Sequence, residues 1–325
     1  MKLSLAHEKL AGNDPDISWQ NYVIKTARKS AELQNVFKVS DFYTLIAGGS
    51  YETQSAINQN TFSEDTFNRA IFAENRFEFF DSLYLTAGIR RDDHSTFGDK
   101  TTYRTTAAYL VKDINTKLHG SLGTGFRAPS LNELFYPFYG NPDLKPEKSR
   151  GYDIGVEQKL LDKRLTADIT YFHNDFSDLI GTDPTTFTAA NISKARSEGV
   201  EFVLNWQALE SISFDVSYTY NETKDLDTDK QLVNRAKNKL LLIAHWKPLD
   251  ALTITSSYTI VRDRIGVSNE DMNNYAVLNL AASYSVTDKF SIFGRVENLF
   301  DYKYEEVVGY SSPPLSAYLG VQMTW

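Results

Sequence analysis

Apolar and polar residues alternate with a period of two along most of this chain. Ile212, Phe214, Val216, Tyr218 and Tyr220 share one face, and Ser213, Asp215, Ser217 and Thr219 share the other. Val200, Phe202, Leu204 and Trp206 stand opposite Glu201, Asn205 and Gln207 in the same way. The rhythm returns through Leu165, Ala167, Ile169 and Tyr171, and again through Leu252, Ile254, Tyr258 and Ile260. Successive side chains of a strand point to opposite faces, so each stretch predicts a strand with one apolar and one polar side. Helical periodicity is almost absent. The chain reads as all-β.

The connections alternate between short and long. Tight polar turns are expected near Ser40-Asp41, Asp81-Ser82, Asp113, Asp162-Lys163, Leu209-Glu210, Pro248-Leu249 and Asp288. Between them lie longer polar stretches, Asp92–Thr101, Arg127–Arg150, Asp175–Arg196, Asn221–Asn234, Arg262–Tyr275 and Phe300–Pro313. The strands run to about ten residues, against five or six in soluble proteins, and about ten suffice for a tilted strand to cross hydrocarbon. Short turns at one end, long loops at the other and alternating faces predict a transmembrane antiparallel β-barrel of about sixteen strands. Those before Asp41 are the least sharply patterned. Tyr171, Phe172, Trp206, Tyr218, Tyr220, Trp246 and Tyr258 are expected near strand ends, where interfacial girdles sit. A large soluble β-sandwich or β-helix would also alternate, but it has no reason for the long/short asymmetry.

Composition narrows the function. The chain has 325 residues, with 42% hydrophobic and a formal net charge of -8, which argues against a general nucleic-acid binder. It has no cysteine, so disulfide scaffolds, thiolate metal sites and cysteine nucleophiles are excluded. Mean hydropathy is -0.38, and no apolar run approaches the roughly 18–20 residues of a membrane helix. A barrel strand shows only one apolar face and escapes such a scan. Met1–Glu8 has no apolar region behind its lysine and does not read as a secretory signal peptide. Gly12–Asp16 reads as a loop, so the chain is expected to open in the middle of a pattern.

The last strand puts Leu315, Ala317, Leu319, Val321, Met323 and Trp325 in one apolar row ending on an aromatic residue. That row resembles the C-terminal signal by which outer-membrane barrels are recognised by the barrel-assembly machinery.

Further stretches carry a family resemblance. Gly123 to Leu134 reads Gly-Thr-Gly-Phe-Arg-Ala-Pro-Ser-Leu-Asn-Glu-Leu and is followed by Tyr139-Gly140-Asn141-Pro142 and Leu144-Lys145-Pro146-Glu147. With Gly199-Val200-Glu201 and Glu297-Asn298-Leu299-Phe300-Asp301, these resemble the TonB-dependent outer-membrane receptors. The residues carrying the likeness are Phe126, Arg127, Ala128, Pro129, Asn141, Pro142, Pro146, Glu147, Gly199, Glu201, Asn298, Phe300 and Asp301. Phe138–Pro142, Asp175–Ile180, Ser193–Arg196, Arg235–Lys237 and Tyr304–Tyr310 are most similar to the branch that takes up cobalamin. Iron-siderophore and haem receptors share the same stretches.

The resemblance implies a barrel of about twenty-two strands with an N-terminal plug. Residues 1–325 would correspond to the C-terminal part of the barrel, without plug, TonB-binding segment or signal peptide. It implies an outer-membrane location in a Gram-negative cell and a small-molecule nutrient as cargo. Lipid and lipopolysaccharide would surround the barrel, and TonB would act through the missing N-terminal part. Without a plug the alternative is a porin-like channel. Ligand contact is expected on the outer loops, at Arg127, Tyr136, Phe138, Tyr139 and Asn141, and in Asn221–Asn234.

Local chemistry points mostly to structure. Pro129, Pro142 and Pro146 cannot donate to a ladder and mark where pairing stops. Gly140 and Asn141 suit a tight turn, and Arg127 and Glu133 can pair with each other or touch a plug. Asn298 and Asp301 fit the end of a strand or the start of a loop. The histidines His7, His94, His119, His173 and His245 show no metal-ligand spacing. Asp225–Lys230 starts like a calcium loop, but position six is Lys230 and position twelve is Ala236. A solvated loop is the expectation there, with calcium, or a divalent bridge to lipopolysaccharide, as the alternative. No catalytic motif is present and no cofactor or enzymatic activity is expected.

Overall fold

The computed structural model describes residues 2–12, 22–58, 61–183 and 185–324. The expected loop after Gly12 and the terminal aromatic Trp325 lie outside the described residues. Sixteen strands follow one another in a single sheet in chain order. They are β1 (Lys2–Gly12), β2 (Tyr22–Ser40), β3 (Tyr43–Asn58), β4 (Phe62–Phe79), β5 (Leu83–His94), β6 (Gly98–Val111), β7 (Thr116–Arg127) and β8 (Glu147–Leu160). Then come β9 (Leu165–Thr182), β10 (Ala189–Leu209), β11 (Ile212–Asp225), β12 (Asn238–Leu249), β13 (Leu252–Arg262), β16 (Tyr275–Thr287), β17 (Phe290–Glu297) and β20 (Ser316–Met323). Two small hairpins interrupt the series, β14 (Arg264–Ile265) with β15 (Asp271–Met272) and β18 (Glu305–Val307) with β19 (Tyr310–Ser311). A short α-helix, α1 (Leu131–Phe135), follows β7.

Register turns the sequence rhythm into continuous faces. Val216 pairs with Leu242, Leu242 with Tyr258, and Tyr258 with Leu278. Directly opposed residues share a face, so these side chains form one apolar band across β11, β12, β13 and β16. The opposite face carries polar ties: Asn205 donates to Asp215 at 2.6 Å, His245 and Thr255 lie 3.1 Å apart, and Asn279 donates to Ser257 at 3.4 Å. Many apolar side chains are not covered by protein: Ile71 is 68% exposed, Ile154 65%, Val321 66% and Leu319 83%. A folded chain in water does not leave such contiguous rows bare. Hydrocarbon is the environment that these faces fit.

The structure corrects three expectations. Asp92–Thr101 is not a long loop: β5 and β6 run through it, pairing Asp92 with Lys100 and His94 with Gly98. Asp175–Arg196 is likewise mostly strand, since β9 extends to Thr182 and β10 begins at Ala189. Pro248 and Leu249 still belong to β12, and the turn falls after them. The aromatic residues shift accordingly. Trp206 and Trp246 do lie near the short-turn ends of β10 and β12, but Tyr171, Phe172 and Tyr258 sit in mid-strand. From Ile212, the partner of Trp246, to Tyr220 is about 26 Å along β11. With the usual tilt that gives about 20 Å of depth, near the height of an apolar band. The strands therefore continue past their outer aromatic level into water.

Compactness divides the chain into two units, Met1–Tyr109 with Gly120–Tyr152 and Asn174–Ala195, and Leu110–His119 with Asp153–His173 and Arg196–Trp325. In the first, a small core forms under the loops: Leu134, Leu144 and Ala189, with Phe135, Tyr139 and Ile180 packed against it. In the second, Val261 on β13 and Val277 on β16 are the buried apolar side chains among the described residues.

Candidate ligand-binding loops

The connection between β7 and β8 is built around one guanidinium. Arg127 donates from Nε to Glu147 Oε2 at 2.6 Å and from Nη2 to Glu147 Oε1 at 2.7 Å. Its Nη1 and Nη2 also reach the two oxygens of Glu133 at 3.1 Å. Glu133 caps α1: the Ser130 backbone N–H donates to its carboxylate at 2.6 Å, and its own N–H donates to Ser130 Oγ at 3.3 Å. This reciprocal box satisfies backbone donors that a helix start leaves open. Glu147 Oε1 also accepts the Ile180 N–H at 2.9 Å, tying β9 into the same cluster.

Charge follows geometry. The bonds to Glu147 and then to Glu133 hold the Arg127 proton more tightly than usual. Glu147 is pushed below the ordinary carboxylate range, first by Arg127 and then by the Ile180 N–H, against the cost of burial. Burial acts hardest on Glu133 and in the opposite sense. Arg127 and Ser130 together outweigh it, and Glu133 also ends below its ordinary value.

The other residues singled out from the sequence fall into place around this clamp. Asn141 donates its N–H to the Glu133 carbonyl at 2.8 Å and its Nδ2 to the Ala189 carbonyl at 3.0 Å, and its Oδ1 accepts the Asp143 N–H. Tyr139 packs on the small core, and its carbonyl accepts the Ala189 N–H at 2.7 Å. Tyr136 meets Phe62 edge-on at 6.4 Å. Phe138 is wholly exposed, at a positive φ of 65°. Gly140 is required for space, because a Cβ there would lie 2.6 Å from the Tyr136 nitrogen. Pro146 is buried and Phe126 meets Phe97 edge-on at 5.8 Å. Asn191 was not evident from the sequence. It accepts the Lys145 N–H and donates to the Lys145 and Asp178 carbonyls. A clamp between residues this far apart leaves no local pattern.

The two long connections β13–β16 and β17–β20 carry a second assembly. Asn298 is buried at a φ of 51°, and its Nδ2 donates to the carbonyls of Tyr302 and Pro313 while its Oδ1 accepts the Tyr302 N–H. Asp301 accepts the Leu315 N–H at 2.9 Å, and Phe300 stays exposed. Arg264, also buried, donates to the carbonyls of Glu305, Glu306 and Asn273 and lies 4.8 Å over the Tyr275 ring. Tyr275 in turn stacks on Tyr304 at 4.3 Å. These ties frame a cavity of about 640 Å³ lined by Glu270, Asp271, Asp301, Glu305, Tyr302, Tyr304 and Lys303. Its volume falls in the range of small-molecule sites, and its lining has four carboxylates against one ammonium.

In the Asp225 loop the carboxylate is used locally. Asp225 Oδ1 accepts the N–H groups of Asp227 and Thr228, and Asp229 pairs with Lys224 at 2.6 Å. Among the described residues no three His, Asp or Glu side chains converge as a metal-ligand set. Glu201 and Gly199 belong to β10, where a Cβ on Gly199 would run into the Tyr220 carbonyl. Leu319, Val321 and Met323 form the exposed face of β20.

A family model described as TonB dependent receptor-like, beta-barrel, matches residues 8–299. The chain is 31% identical over 297 residues to the Vitamin B12 transporter BtuB of Photobacterium profundum, covering 86% of this chain and 47% of that protein. It is 30% identical over 296 residues to the Vitamin B12 transporter BtuB of Vibrio vulnificus, with 87% and 47% covered. The chain thus spans about half the length of these curated relatives. The crystal structure of the siderophore receptor PirA from Acinetobacter baumannii matches with a TM-score of 0.79 at 17% identity, covering 99% of this chain and 59% of that one. The copper transporter OprC matches at 0.79 and 17%, with 94% and 58% covered. At such identities these structures share the fold.

Proposed function

Because this chain belongs to the TonB dependent receptor-like, beta-barrel family, whose members reside in the outer membrane, we propose that it forms the barrel wall and outer loops of an energy-coupled receptor for a cobalamin-like nutrient. The observation that carries the ligand class is the 31% identity to a vitamin B12 transporter over 86% of the chain. The cavity at the β13–β16 and β17–β20 connections supports it. Its excess of carboxylates, Glu270, Asp271, Asp301 and Glu305, disfavours an anionic ferric complex and tolerates a neutral or cationic corrinoid.

In this reading the outer loops capture scarce ligand and TonB supplies the work of release. Arg127, Tyr139 and Asn141 hold the β7–β8 loop in shape. Phe138 and Tyr136 are the aromatic surfaces it offers to a bulky ligand.

The test is uptake of labelled cobalamin by cells with the intact gene, a deletion, and a deletion complemented with the gene. Saturable uptake is expected, removed by the deletion and abolished by a protonophore. Uptake of a ferric siderophore that tracks the gene instead would overturn the ligand class. Ion conductance without TonB would replace the receptor by a channel.

A further inference from the structure

The β14–β15 and β18–β19 hairpins, both in the second unit, are joined by one side chain. Arg264, on β14, is only 5% exposed. Its Nη1 donates to the carbonyls of Glu305 at 2.9 Å and Glu306 at 3.3 Å, both on β18. Its Nη2 donates to the carbonyl of Asn273 at 2.9 Å, just past β15. None of these acceptors is a carboxylate. The backbone on either side of Arg264 is fixed from the β11–β12 connection: the Asp263 carbonyl accepts the Lys237 N–H at 3.2 Å, and the Ile265 carbonyl accepts the Asn234 N–H at 2.8 Å. Gly266 completes the joint. A Cβ there would run into the Glu270 carboxylate and lie 2.7 Å from Val308 Cγ2, so the hairpins meet with no room for a side chain.

Stability alone does not account for this arrangement. Burying a guanidinium is costly, neutral carbonyls offset the cost only in part, and Nε is left buried without an acceptor. What the side chain contributes is a rigid bridge. Its planar fork bonds two separate connections at once, which a flexible ammonium does less rigidly and an apolar residue not at all. Asn273 and Glu305 both line the cavity of about 640 Å³, and Arg264 stands behind them, outside the lining.

We infer that Arg264 is a positioning residue for ligand capture. By tying the Asn273 and Glu305 carbonyls together it presets the walls of the cavity, which spares the ligand the cost of ordering the hairpins as it binds. From outside the lining it sets how tightly ligand is held, and not how fast energised release proceeds. The inference rests on the reading of that cavity as the ligand site.

The experiment uses the full-length gene product, in outer-membrane vesicles for binding and in cells for uptake, with labelled cyanocobalamin as the probe. The variants are Arg264→Met, Arg264→Lys and Gly266→Val, the last of which prises the hairpins apart with the guanidinium in place. These 325 residues contain no cysteine, so Val267→Cys and Tyr310→Cys, at two exposed positions, can carry a pair of spin labels that report the distance between the hairpins. The distribution of that distance should be narrow in the wild type. Arg264→Met and Gly266→Val should broaden it and weaken binding about tenfold, the cost of ordering one or two side chains on binding. Maximal uptake per assembled receptor should be unchanged, and Arg264→Lys should fall between. Should Arg264→Met not assemble, Gly266→Val carries the same comparison. A distance distribution in the assembled variants equal to the wild type's would overturn the inference. So would an unchanged half-saturation with only a lower maximum, or full recovery by lysine, which would assign the effect to charge. A wild type that binds no cyanocobalamin would remove the ligand class instead, and the label distances would still decide whether Arg264 sets the walls.

Discussion

Arg127, the last residue of β7, and Glu147, the first of β8, are joined by two parallel hydrogen bonds of 2.6 and 2.7 Å across the whole 128–146 connection. The pair closes the mouth of that loop, and Glu133 adds α1 to the same guanidinium. Forked pairing of this kind fixes orientation as well as distance.

Replacing Arg127 by Ala should loosen the loop without unfolding the wall. The side chain is 47% exposed, so solvent screening limits the loss to about 1 kcal/mol. Limited proteolysis should cut within 128–146 faster, while the gel shift on heating is unchanged. Lys at the same position should rescue only part of the protection, because it cannot bond both oxygens of Glu147.

Acid should open the same loop. Glu147 and Glu133 both have folded values below their ordinary ones. Their contribution is therefore complete above the ordinary carboxylate range, falls once pH drops below about 4.3, and is gone below the depressed folded values. The protection factor of the Ile180 amide, with the intrinsic pH dependence of exchange divided out, should be flat through neutral pH and fall in acid. In Glu147→Gln that acid step should shrink, with faster exchange at all pH values.

Asn298→Ala should destabilise the β17–β20 connection by about 2 kcal/mol, since it strands buried backbone groups of Tyr302 and Pro313. Asn298→Gly would keep the positive φ but not the bonds, and should cost nearly as much. The readout is the midpoint of thermal unfolding in detergent. A change within error for both variants would mean that the clamp carries nothing.

Gly199→Val should disturb the β10–β11 pairing, because any Cβ there meets the Tyr220 carbonyl. The amount of assembled protein in outer-membrane fractions should fall severalfold, while Glu201→Gln, on the same strand, should assemble normally.

Much of the wall was legible in the sequence because hydrocarbon on one side enforces contrast along β11 and β13. The short turns at Asp81, Asp113 and Asp162 were marked by residues that tolerate tight backbone. The legible part stops where the hydrocarbon stops. Arg90 to His94, Asp175 to Thr182 and Ala189 to Arg196 are strand, yet both of their faces meet water or protein, so period-two contrast vanishes and they read as loop. In the candidate site, the Arg127–Glu133 pairing was visible as one option within a short segment. The bonds to Glu147, Ile180 and Ala189, and the Asn191 clamp, join residues from separate connections that only the register of β7 to β10 brings together.

Lipid outside the wall and water inside it are the central claim, and neighbouring positions on one strand test it most directly. Lysine at Val216 or Tyr258, on the apolar face, should cost about 2–4 kcal/mol near mid-depth and sharply reduce assembled protein. Lysine at Ser217 or Ser257, one residue along, should assemble nearly as wild type. Equal tolerance at both faces, measured by unfolding in lipid vesicles, would contradict it.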